Sequence, residues 1–167
     1  MEIAITKARG EDRIAITRAD GSRVETVFPH KGPVPHDAVH LFVERALGLR
    51  AAFWGMIAGG RHPEEIAALA KAAGHASAKR AEVPDASIVE LLQAERLVEC
   101  FEADLWSGGS GEADTFIAVA ESACLASHVP PPPLSGDLIA RIRSELGAFA
   151  REWQAAPLGH TTRLEWD

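Results

Sequence analysis

Arg13-Ile14-Ala15-Ile16-Thr17-Arg18-Ala19-Asp20-Gly21-Ser22-Arg23-Val24-Glu25-Thr26-Val27-Phe28 is the stretch whose reading decides the fold. Both ends alternate polar and apolar residues, the period of two that half-buried strands show. Between them the Asp20-Gly21 pair supplies the positive φ angles of a tight hairpin turn. Glu2-Ile3-Ala4-Ile5-Thr6 repeats the alternation, and Arg9-Gly10-Glu11-Asp12 reads as the turn joining it to the second run. Residues 1–28 therefore predict an antiparallel meander. At the far end, 160–166 (His-Thr-Thr-Arg-Leu-Glu-Trp) is β-branched and aromatic enough for a last strand able to add to this sheet.

The intervening chain, 35–155, changes to a helical period. Pro29-His30-Lys31-Gly32-Pro33-Val34-Pro35 cannot hold regular structure, because three prolines remove donors. Pro35 suits the first position of a helix running to Leu47, ended by Gly48. A short apolar segment, Ala51–Ala58, ends at Gly59-Gly60, and Pro63-Glu64-Glu65 opens a helix lasting to about Ala73. Small and charged residues over 76–83 read as a loop. Long helices are expected over Asp85–Trp106, Glu112–His128 and Asp137–Trp153, separated by a Ser/Gly connector and by Pro130–Pro133. The fold class expected is α+β. It is a small antiparallel sheet on a bundle of about four to five helices, within one domain spanning 1–167.

Composition narrows the function classes. Of 167 residues 47% are apolar and 25% charged, a globular balance that argues against disorder. Seventeen basic against 24 acidic residues leave a net charge of −7, which disfavours nucleic acid and anionic membranes as partners. No apolar run approaches the ~20 residues of a membrane span, and the N-terminus lacks the pattern of a signal peptide. Cys100 and Cys124 form no metal or disulfide motif, so a cytoplasmic location with free thiols is expected. Arginine outnumbers lysine 13 to 4 and alanine occurs 30 times, the bias of a GC-rich bacterial genome.

Polar residues that interrupt apolar helix faces mark the candidate sites. On the Pro35–Leu47 helix, His36 and His40 sit four apart at the rim of the buried arc. At that spacing two imidazoles reach one metal ion. His36-Asp37-Ala38-Val39-His40 has the outline of the HExxH zinc motif, with Asp37 where the general-base Glu belongs. That departure, and the frequency of a bare HxxxH, keep the chain from being assigned to that family. Glu44 lies ~12 Å along the axis from His36, too far to join both histidines on one ion. On the Asp85–Trp106 helix Glu95, Glu99 and Glu102 line one side, which needs something positive if it is covered and is otherwise a solvated acidic face beside Arg96. Glu112–His128 is apolar nearly all round, which predicts a central buried helix. Glu121, in its middle, would then need a cation, a metal, a proton or a partner such as Arg141, Arg143 or Arg96, and a bundle edge open to solvent would also suffice.

Three function classes stand against one another. One is a bundle site in which His36 and His40 meet carboxylates from Glu95, Glu99 or Glu121 and hold zinc, iron or manganese, with His36, His40 and Glu121 the leading ligand set. The second is a non-enzymatic homodimeric or partner-binding module without metal. The third is a small-molecule pocket lined by the histidines and Trp54. The GxSxG elbow, phosphate loops and the Glu-x-x-His pairs of di-iron bundles are all missing, so no reaction is assigned.

Overall fold

The computed structural model describes residues 1–30, 32–72 and 84–167. Strands β1 (Glu2–Thr6), β2 (Glu11–Thr17), β3 (Arg23–Pro29) and β4 (Thr161–Glu165) form one antiparallel sheet in the order β3-β2-β1-β4. The register places Ile3 opposite Ile16 and Leu164, and Ile5 opposite Ile14, so the alternation of each strand collects its isoleucines on one face. The hairpin between β2 and β3 uses positive φ at Gly21 only. Asp20 contributes its side chain instead, which accepts from the Ser22 N–H at 2.9 Å.

Among the described residues six α-helices follow, one more than the upper expectation because the short apolar segment is itself helical: α1 (His36–Leu47), α2 (Phe53–Ala58), α3 (Pro63–Ala72), α4 (Val89–Trp106), α5 (Ala113–Ala126) and α6 (Gly136–Ala155). Pro35 is the residue preceding α1 rather than its first turn. The expected long helix from Asp85 opens with a 3₁₀ turn at Ala86–Ile88 before α4. The loop expected over 76–83 lies outside the described residues.

The isoleucine face of the sheet packs on α1, α2 and α6 in one core that includes Val39, Val43, Trp54, Ile57, Phe149 and Trp153. Its exclusion from water at about 25 cal/mol per Å² is the main drive to this arrangement. Lys7 fastens α6 to the sheet by donating to the carbonyls of Trp153 and Ala156 at 2.7 and 2.8 Å, a cation at a helix C-terminus. α1 runs through the middle, with every side chain from Asp37 to Glu44 buried. α4 crosses it in the opposite direction: His36 at the start of α1 meets Glu102 late in α4, whereas Ala51 beyond α1 meets Glu90 early in α4.

α5 is not central. It packs on α4 and α6 through Phe116, Ala120 and Cys124, and leaves Val119 54% and Leu125 62% exposed. Alanines distributed round a helix raise its apolar content without requiring cover, so composition alone overstated its burial. Among the described residues no helix is long and apolar enough to cross a membrane.

Candidate metal centre

His36, His40 and Glu44, at i, i+4 and i+8, form a row on α1, and Glu95 and Glu102, at i and i+7, form a row on α4. Antiparallel packing of the two helices presses the rows together. His40 Nδ1 donates to Glu44 Oε1 at 2.9 Å, and His36 Nδ1 donates to Glu102 Oε1 at 2.9 Å. With both Nδ1 atoms engaged, the two Nε2 atoms turn toward each other at 3.2 Å. The Glu95 carboxylate completes the group, 3.3 Å from His40 Nε2 and 3.9 Å from His36 Nε2. One ligand atom from each of His36, His40 and Glu95 lies within 4.8 Å of the other two.

Two imidazole lone pairs at 3.2 Å repel unless something positive sits between them. A proton on one of the two Nε2 atoms meets that need in the metal-free chain. Burial alone would push the His40 ring down, but its hydrogen bonds to Glu44 and Glu95 and their charges outweigh this and raise it to about 10. Burial likewise opposes protonation of His36, and Glu102 and Glu95 overcome it, so that ring is also raised. Glu44, fully buried, is pushed up by loss of water, and His40 and the Trp54 N–H hold it back in part.

A divalent ion meets the same need by accepting both lone pairs at once. Two nitrogens each about 2.0–2.1 Å from a tetrahedral zinc lie about 3.3 Å apart, close to the spacing found here. Histidine ligands whose second nitrogen donates to a carboxylate are the usual supporting arrangement of metal sites, and both rings have it. Glu44 is therefore a supporting residue, in keeping with its distance along the helix. Its second oxygen accepts from the Trp54 N–H at 2.8 Å, tying α2 to the site.

Of the ligand candidates singled out in the sequence, the structure brings together His36, His40 and Glu95, with Glu44 and Glu102 hydrogen-bonded to the two rings. Glu121 is exposed on α5 and is not in the group of ligand atoms that includes both histidines; it needed a partner only if α5 were buried. Glu99 is 46% exposed and pairs with Arg96 at 2.9 Å, the acidic-face alternative. Arg143 pairs with Asp104 and Arg141 donates to the Ala46 carbonyl, so neither serves Glu121. Trp54 is wholly buried and donates from Nε1 to the Asp37 carbonyl at 2.9 Å, which makes it core rather than pocket lining. Glu102 was part of the acidic row but not among the chosen candidates. Its seven-residue spacing from Glu95, matching two histidines on a facing helix, was the available signal.

Comparison with protein-family models, curated proteins and solved structures gave no match for this chain. The chemistry of the site therefore rests on its own geometry.

One consequence concerns the metal-free protein. The folded value of His40 stands above its ordinary 6.5, so its protonation stabilises the fold fully below pH 6.5 and the contribution is lost as pH rises toward 10. Urea denaturation in the presence of a chelator should give lower stability at pH 9.5 than at pH 7, with a slope of up to about 1.4 kcal/mol per pH unit for one proton. Equal stability at the two values would show that His40 is not held protonated.

Proposed function

We propose that the protein is a divalent-metal-binding domain, with His36 Nε2, His40 Nε2 and the Glu95 carboxylate as ligands and Glu44 and Glu102 as their supports. The observation that carries this reading is the facing of two Nε2 atoms at 3.2 Å with both Nδ1 atoms tied to carboxylates. Zinc suits two imidazoles and one carboxylate best, and iron or manganese accept the same set. Three protein ligands leave a coordination position, as catalytic rather than structural zinc sites do, and a metal there would polarise a bound water or carbonyl. The ligand side chains of His36 and Glu95 keep 13% and 17% exposure, enough for water to reach that position.

Calorimetric titration of chelator-treated protein tests the proposal. One zinc per chain is expected, with a rise in melting temperature. Glu95→Gln should weaken binding by at least about tenfold. Protein that purifies without metal and whose melting temperature ignores zinc, iron(II) and manganese(II) would overturn it.

A second reading, a homodimeric module, is favoured by the exposed Val119 and Leu125 of α5. Light scattering after size-exclusion chromatography decides it, and a strictly monomeric chain removes it.

A further inference from the structure

Beyond its first residue, the twenty-residue helix α6 contains a single glycine, Gly147, which has no positive φ to require it. A glycine inside a helix costs about 1 kcal/mol relative to alanine, and here it leaves a shallow opening on the helix surface. Gly147 forms part of the wall of a cleft of about 560 Å³ between α6 and the C-terminal half of α4. That volume lies within the ~300–1,000 Å³ typical of small-molecule sites. Phe101, Leu146 and Ala150, all buried, make an apolar floor, and Trp106, 54% exposed, lines it as well.

The polar rim divides into committed and uncommitted groups. Arg143 is spent: it donates twice to Asp104, at 2.9 and 2.7 Å, and once to the Gly111 carbonyl at 2.8 Å. Arg151 and Gln154, three residues apart and exposed, make no side-chain hydrogen bond or ion pair with any described residue. A Cβ at position 147 would lie 3.4 Å from Arg151 Nη1, an ordinary contact, which places the guanidinium directly against this stretch of the cleft wall. In a chain of net charge −7, this leaves Arg151 unpaired among the described residues, beside an apolar floor and an indole.

We propose that this cleft binds a small planar apolar molecule carrying one anionic group, an aromatic carboxylate or sulfonate, with its ring beside Trp106 and its anion on Arg151. Such a pairing uses the flat face of the indole for stacking and the planar fork of the guanidinium for the anion. The cleft shares no lining residue with the histidine cluster, so the proposal stands apart from the metal reading.

8-Anilinonaphthalene-1-sulfonate is the probe, followed by fluorescence titration of the full chain. Saturable binding at one site per chain is expected. Arg151→Gln should weaken it by about tenfold, the loss that follows removal of a charged hydrogen bond. Gly147→Leu, which occupies the cleft with a better helix former, should abolish it without lowering helicity. Absence of saturable binding overturns the proposal. So does equal binding by wild type and Arg151→Gln, which would put the dye on the exposed face of α5.

Discussion

His40→Ala is expected to cost the metal-free protein about 3 kcal/mol or more in urea denaturation, because it leaves the Glu44 carboxylate buried without its partner. Glu44 is fully inaccessible, and its remaining partners are the backbone N–H groups of Trp54 and Phe53. The same substitution should weaken zinc binding by more than about 100-fold, since loss of a supporting residue alone costs 10–100-fold. The two effects separate in the double variant His40→Ala/Glu44→Gln. Removing the stranded charge should recover much of the stability, whereas zinc binding stays lost because a ligand is still missing. If the double variant is no more stable than His40→Ala, then Glu44 is not held ionised by His40. If His40→Ala binds zinc as wild type does, the ligand assignment fails.

How far these groups could be foreseen follows from what periodicity reports. A period of two, with burial of one face, set β1 and β2, because Ile3, Ile5, Ile14 and Ile16 have one way to be dry together. The pairing of β4 with β1 was legible for the same reason, as Leu164 continues that face opposite Ile3. Helical spacing set His36 and His40 side by side, because that relation is local to one helix. Which carboxylate joins them is a question about another helix, and periodicity is silent on how two helices are offset along their axes. The antiparallel offset of α4 brings Glu95 and Glu102 to the histidines and turns Glu99 out to solvent beside Arg96, although all three share one side on a wheel. The expectation for Glu121 failed at a different step. It assumed that an apolar helix is a covered one, and α5, rich in alanine, is apolar without being covered. Trp54 shows the converse: a large aromatic proposed as ligand lining proves to be the peg that docks α2 and fixes Glu44.

That docking makes Gly55 the position where the smallest added group should have the largest effect. Gly55 lies within α2 and has no positive φ, so its backbone could belong to any residue. Space is what it lacks. A Cβ there would stand 2.0 Å from the carbonyl oxygen of Arg50 and 2.5 Å from its carbonyl carbon, backbone atoms with no rotamer to change. Neither side can retreat cheaply. On one side Leu49 and Ala52 are buried against Ala94, the Leu49 N–H donates to the Glu44 carbonyl, and the Ala51 N–H donates to Glu90 at 2.6 Å. On the other, Trp54 and Ile57 are fully buried in the main core. Gly55→Ala should therefore cost about 3 kcal/mol or more, in the range of overpacked cores. By shifting α2 it should also loosen the Trp54 hold on Glu44 and lower zinc affinity. Gly48→Ala provides the contrast. Gly48 has a φ of 68° with nothing within 4 Å of an added Cβ, so it tests backbone strain without collision and should cost only about 1–2 kcal/mol. Urea midpoints for Gly55→Ala and Gly48→Ala that coincide would mean the Arg50 connector yields freely, and that α2 is not the fixed support of Glu44 that these contacts imply.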